Sequence, residues 1–260
     1  MPAADGPGPV PPAADARRAA PQAEPRAAVR ERIRAAAELY GRDVPELIVV
    51  TKFHPAADVA LLAGLGVGDF GENRDQEAAA KAAAVGDPAL RWHFIGQLQS
   101  NKARSVASYA HSVHSVDRDA LARALSRAVT ARQEASGGPP LRCYVQVNLD
   151  PAAAAAAVGG GHGGAGRGGA VPAEVEPLAG LIASLPGLEL AGVMAVAPLG
   201  EDPDAAFDRL AGLSAAMVRS FPQARGISAG MSQDLEQAIR AGATHLRVGS
   251  DVLGSRPAIG

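Results

Sequence analysis

The run LIVVTK, Leu47 to Lys52, sets four uninterrupted apolar residues in front of a lysine. A strand covered on one face alternates apolar and polar residues. An unbroken, β-branched apolar run instead marks a strand covered on both faces, as in a parallel sheet under crossover helices. Downstream, short strand-like segments recur, HSVHSV and RCYVQVNL with clean alternation of side chains between two faces. Strands are read at Asp69–Phe70, RWHFIG (91–96), HSVHSV (111–116), RCYVQVNL (142–149), LELAGVMAV (188–196), GISAG (226–230) and HLRVG (245–249). Helical segments fall between them, at 56–64, 73–85, 100–107, 117–131, 172–184, 203–220 and 232–241, with one more at 24–40 in front. The reading is eight strands, each but the last followed by a helix. This predicts an α/β fold, a single (β/α)8 TIM barrel. An open doubly wound sheet is the competitor, weakened because no GxGxxG follows the first strand.

Composition narrows the function. The chain has 260 residues, with 25 Lys plus Arg against 27 Asp plus Glu, a formal net charge of −2. That balance argues against a nucleic-acid or membrane-surface partner. A single cysteine, Cys143, precludes an internal disulfide, and no Cys/His cluster has zinc spacing, so no metal is expected. No apolar run is long enough to span a membrane, and the start has no secretory apolar core, so a cytoplasmic protein is expected. Residues 1–23, rich in Ala, Pro and Gly, are read as a disordered tail, residues 24–260 as the barrel, and the Ala/Gly-rich stretch 151–170 as a surface loop.

In such barrels, reactive groups gather at the C-terminal ends of the strands, with phosphates bound after strands seven and eight. Lys52 ends the first strand, Glu72 and Asn73 follow the second, and GQLQSNK (96–102) follows the third. AGMS (229–232) follows the seventh and VGSDVLG (248–254) the eighth. Lys52 is either a rim lysine with its head in water or a neutral amine able to attack an aldehyde. Ser232 reads as a helix N-cap, yet Gly230 before it allows close backbone approach, and Gly249–Ser250 repeats the arrangement. Two glycine–serine ends side by side favour a phosphate site. Arg247 shares a strand face with Gly249 and points into the barrel, either paired with a carboxylate such as Glu72 or touching a ligand. Asn73 either caps its helix with Gln76 or contacts the ligand. His54, His111 and His114 read as rim or satisfied strand positions, and Cys143 as core.

With these positions in place, VVTKFHP, FGENRDQEAAAK, WHFIGQLQSNKAR, GVMAVAP and SAGMSQDLEQAIRAGATHLRVGSDVLGSR resemble the YggS/PROSC family of pyridoxal phosphate homeostasis proteins. The resemblance runs from about residue 24 to 256, the glycine loop aside. It implies a barrel similar to the N-terminal domain of alanine racemase (fold type III of pyridoxal 5′-phosphate, PLP, proteins). It implies that Lys52 holds PLP as a Schiff base. Ser232, Gly249, Ser250 and the backbone at Met231 would hold the phosphate, Arg247 would face the pyridine nitrogen, and Asn73 would lie near the ring. An arginine cation there keeps that nitrogen unprotonated and the ring a weak electron sink. Arg74 departs from the family's frequent aromatic, and Ser250 from its frequent Thr.

The resemblance implies a PLP carrier in vitamin B6 homeostasis, non-catalytic and monomeric, with PLP-dependent apoenzymes as candidate partners. The alternative is a PLP-dependent amino-acid racemase. Racemases of the related fold use a second domain and a second base, usually a tyrosine. Here the sequence stops soon after the barrel and offers only Tyr40, Tyr109 and Tyr144, which favours the carrier.

Overall fold

A computed structural model describes residues 13–152 and 168–254 of the chain. Eight parallel strands close into a barrel in sequence order: β1 (Glu46–Val50), β2 (Asp69–Glu72), β3 (Arg91–Phe94), β4 (Ser112–Val116), β5 (Leu141–Gln146), β6 (Leu188–Met194), β7 (Gly226–Ser228) and β8 (His245–Val248). Closure comes from β1 pairing with β8, in the register Val49 to Val248. The open-sheet alternative is thereby excluded.

Helices α2 (Ala56–Gly64), α3 (Asp75–Val85), α4 (Ala103–Tyr109), α5 (Asp119–Ser136), α6 (Pro172–Ser184), α7 (Pro203–Ser220) and α8 (Leu235–Arg240) cover the strands, and α9 (Ser250–Leu253) follows β8. Expectation and structure differ at several boundaries. The segment after β3 begins as a 3-10 turn, Ser100–Lys102, before α4. The leading helix α1 runs Ala13–Leu39, into the stretch read from composition as a tail, because its alanines and arginines are strong helix formers. Residues 1–12 of that tail, and 153–167 of the glycine loop, lie outside the described residues. Val29, Ile33, Ala36 and Ala37 form the buried face of α1, at helical spacing, and α1 packs across α8 and α9.

The main apolar core lies between sheet and helices. Phe70, Trp92, Phe94, Val113, Cys143 and Val145 point outward into it. The barrel interior is different. A typical (β/α)8 interior is filled by branched apolar side chains. Here Asp69, His93, His114, His245 and Arg247 are all buried, beside Tyr144 and Met194. His114, read as a rim or satisfied strand position, is a fully buried strand residue stacked on Tyr144 with ring centroids 4.3 Å apart. The interior is satisfied as a continuous chain. Arg247 donates to Ser228 Oγ, Ser228 Oγ meets His114 Nδ1, and His114 Nε2 meets Ser112 Oγ. Ser112 Oγ in turn meets His93 Nδ1, and His93 Nε2 meets Asp69 Oδ1. A buried polar network is tolerated when its members find partners, as these do.

Candidate site at the C-terminal mouth of the barrel

A cavity of about 720 Å³ opens at the C-terminal rim, and Lys52, Asn73, Ser232, Arg247, Gly249 and Ser250 all line it. Met231 lines it as well. The structure therefore brings these residues together in one cleft from four strand ends, those of β1, β2, β7 and β8, whereas Glu72 and the GQLQSNK run after β3 do not line it.

Lys52 follows β1 in a tight turn closed by the His54 amide on the Thr51 carbonyl, 3.0 Å. The turn carries strain, because Phe53 has φ +69, a conformation that side-chain-bearing residues seldom adopt. Glu77 and Lys81 of α3 hold this turn. Sequence reasoning did not find them, since Lys81 in an Ala-rich helix looks like a solvated residue. The usable signal was their i,i+4 spacing on the helix that follows Glu72.

Asn73 is not a helix cap. The residue at the cap position of α3 is Arg74, with no side-chain cap bond, and Asn73 Oδ1 is buried without a hydrogen-bond partner in the described structure. A buried amide oxygen left alone is costly unless something else fills the site. Its backbone is gripped from the other side: a Cβ on Gly96 would stand 2.1 Å from the Asn73 carbonyl oxygen. The glycine opening the GQLQSNK run thus lets β3 pass against this residue.

Ser232 is not a helix cap either. Helix α8 begins three residues later, and Asp234 stands before it, its Oδ1 accepting from the Met231 amide at 2.6 Å. The Met231 N–H is thereby turned into its own loop, while Met231 itself lines the cavity. Ser232 Oγ instead approaches Ser250 Oγ at 3.3 Å, across the gap between the seventh and eighth strand ends. Gly249 lets Ser250 sit close to β1: a Cβ there would lie 3.1 Å from the Val50 carbonyl oxygen. From outside, Arg32 of α1 joins both loops, donating to the Ser232 carbonyl, to Glu236 and to Asp251.

Arg247 does not pair with Glu72. Its guanidinium donates to Ser228 Oγ at 2.7 Å and to the Ala195 carbonyl at 3.0 Å. Glu72 is taken instead by Thr51 and Lys81, each at 2.6 Å. Burial lowers Arg247 to a pKa of about 10, leaving it a cation at neutral pH. An aliphatic or neutral side chain could not present that charge from the barrel floor. The mouth thus offers one primary amine, two facing hydroxyls beside a glycine, an unfilled amide oxygen and a buried cation. That set fits an aldehyde-bearing, phosphorylated aromatic ring.

Known proteins bear on the identity. The family described as alanine racemase, N-terminal domain, matches residues 26–257. The pyridoxal phosphate homeostasis protein of Mycobacterium tuberculosis is 45% identical over 246 residues, 88% of this chain and 91% of the relative. The chain belongs to the pyridoxal phosphate homeostasis protein family. A family member of Escherichia coli is 34% identical, over 88% of this chain and 94% of its own. The structure of PipY from Synechococcus elongatus with PLP bound superposes with a TM-score of 0.73 at 34% identity, covering 89% of this chain and 99% of PipY. Alanine racemase of Corynebacterium glutamicum has a TM-score of 0.60 at 16% identity, over 90% of this chain and 62% of its own, and shares the barrel fold. No described helix of this homeostasis-family chain is long and apolar enough to cross a membrane.

Proposed function

We propose that this chain binds PLP through Lys52 and serves PLP homeostasis as a cytoplasmic, monomeric carrier that turns over no substrate of its own. The supporting observation is the convergence of Lys52, Asn73, Arg247, Gly249 and the Ser232–Ser250 hydroxyl pair on one cavity. Bound PLP supplies an aldehyde that joins reversibly to a primary amine. Lys52 provides that amine. Ser232 and Ser250 donate hydroxyl hydrogens to the phosphate, and Gly249 leaves room for it beside β1. Asn73 offers its unpartnered carbonyl oxygen to a hydroxyl donor on the ring. Arg247 keeps its protons on its own guanidinium, so a ring nitrogen set against it stays an acceptor.

The last point favours storage over turnover. An amino-acid racemase moves protons on two faces of its substrate and needs two positioned groups. Among the described residues no tyrosine lines the mouth. Burial pushes the Tyr144 phenol up to about 12, and its hydroxyl is occupied by His245 Nε2 at 3.2 Å. Tyr109 bonds Asp75. PLP-dependent apoenzymes are the recipients this reading calls for.

Purified protein incubated with PLP, reduced with borohydride and digested tests the claim. The Lys52 peptide of the wild type gains the cofactor's mass, and Lys52→Ala retains none. Unmodified wild-type Lys52 at saturating PLP would sink the proposal. Racemisation of alanine by the loaded protein at enzyme-like rates would make it a racemase instead.

A further inference from the structure

Lys52 occupies a turn that its own sequence does not favour. Lys52 and Phe53 are the central residues of the Thr51–His54 turn, and at Phe53 the backbone is left-handed, where glycine is usual. Such a conformation persists where the surroundings enforce it. The surroundings here are two side chains one helical turn apart on α3. Glu77 Oε1 accepts from the Phe53 amide at 2.6 Å. Lys81 Nζ donates to the Thr51 carbonyl at 2.7 Å, and to Glu72 Oε1 and Glu77 Oε1 at 2.6 Å each. The Thr51 carbonyl belongs to the peptide group before Lys52, and the Phe53 amide to the one after it. Both are therefore gripped by the same ion pair, buried Lys81 and half-buried Glu77. Lys81 is only 5% exposed, in a helix otherwise rich in alanine. Burying a lysine against one buried and one half-buried carboxylate is a poor way to add stability alone, since an apolar cluster of similar volume does as well. The Arg74 guanidinium completes the clamp 5.0 Å above the Phe53 ring.

We infer that Glu77 and Lys81 are positioning residues, holding the turn so that the Lys52 amine is aimed into the mouth. The inference rests on Lys52 being the attachment residue. Misaiming a reacting group by about 1 Å can cost roughly a hundred-fold in rate, whereas ligand contacts elsewhere are untouched.

The test separates capture from docking. Full-length protein carrying Glu77→Ala is compared with wild type for the rate at which borohydride traps PLP on Lys52. It is also compared for affinity toward 4-deoxypyridoxine 5′-phosphate, which keeps ring and phosphate and lacks the aldehyde. We expect capture to fall about ten- to a hundred-fold while the analogue's Kd moves less than about two-fold. Glu77→Gln, which restores an acceptor for the Phe53 amide, should recover most of the capture rate. Lys81→Met should follow Glu77→Ala. Capture at the wild-type rate in Glu77→Ala overturns the inference. So does equal loss of capture and analogue binding, which would make the pair a support of the fold. Lys52→Ala is the control: if it traps PLP like wild type, the attachment reading fails on its own account.

Discussion

Arg247 and Asn73 sit in the same cavity with opposite debts to the protein. Arg247 is engaged by two hydrogen bonds, so Arg247→Met would leave Ser228 Oγ with His114 alone and remove the guanidinium donor from the Ala195 carbonyl. A loss of about 2–4 kcal/mol should appear in urea unfolding of the PLP-free protein. Asn73 Oδ1 has no partner to lose. Asn73→Ala should change PLP-free stability by less than about 1 kcal/mol while weakening PLP binding, measured by equilibrium dialysis. A large stability loss would instead mark Asn73 as structural. At this scale the sequence was most readable where chemistry broke a pattern. Lys52 stands out against four apolar neighbours, and Arg247 against Leu246 and Val248. The i,i+4 spacing of Glu77 and Lys81 marks a pair but not its role, because their partners, the Phe53 amide and the Thr51 carbonyl, are backbone atoms 24 and 30 positions away.

Elements set the distance between the two serine loops. Gly230 has φ +88, and a Cβ there would come within 2.6 Å of Ala238 Cβ and 2.8 Å of Leu246 Cδ2. Gly230→Ala must push the Ser232 loop away from β8 and α8. We expect at least about 2 kcal/mol of destabilisation by thermal unfolding, with weakened PLP binding. Arg32 acts more gently, being an exposed residue of α1 with partners on α8 and α9. Arg32→Ala should cost about 0.5–1 kcal/mol, diminishing in high salt. The first strand was legible from its unbroken apolar run, and β4 and β5 from alternation of the outward apolar face with polar or aromatic interior positions. The start of α8 was not. Ser232, two residues after Gly230, has the chemistry of a helix cap, but Asp234 competes for the same loop and takes the Met231 amide.

The whole barrel carries its polar residues on the inside, a property no single segment announces. The histidines come from different strands, and only closure of the sheet brings His93, His114 and His245 together. Burial, with His93 nearby, lowers His245 and His111 to about 4, and His114 well below its ordinary value. Unfolded histidines titrate near 6.5, so between about pH 6.5 and 4 the unfolded chain binds more protons than the folded one. Stability therefore falls as pH drops through that window, by up to about 3 kcal/mol from His245 alone. Burial would raise the Asp69 carboxyl, but hydrogen bonds from His93 and Arg91 outweigh it and hold it well below the carboxylate range. Its contribution is lost at still lower pH, so the two effects add. Unfolding midpoints in urea should decline steadily from pH 7 to pH 4. A flat profile would mean that the interior histidines are already charged in the folded barrel.

The cage around Lys81 also bears on chemoselectivity. Of the 25 basic residues, only three are lysines, Lys52, Lys81 and Lys102, and the other 22 are arginines. Guanidinium groups do not condense readily with aldehydes, and they remain charged at any physiological pH. Lys81 is walled in by Glu72 and Glu77, and Lys102 stands 4.0 Å from Asp75. Cys143, the lone thiol, is fully buried, and burial raises its pKa further from the reactive thiolate. A chain that handles a free electrophile thus presents it with few competing side-chain amines, Lys102 being the exposed one, so stray adducts are limited by composition as well as by the shape of the pocket.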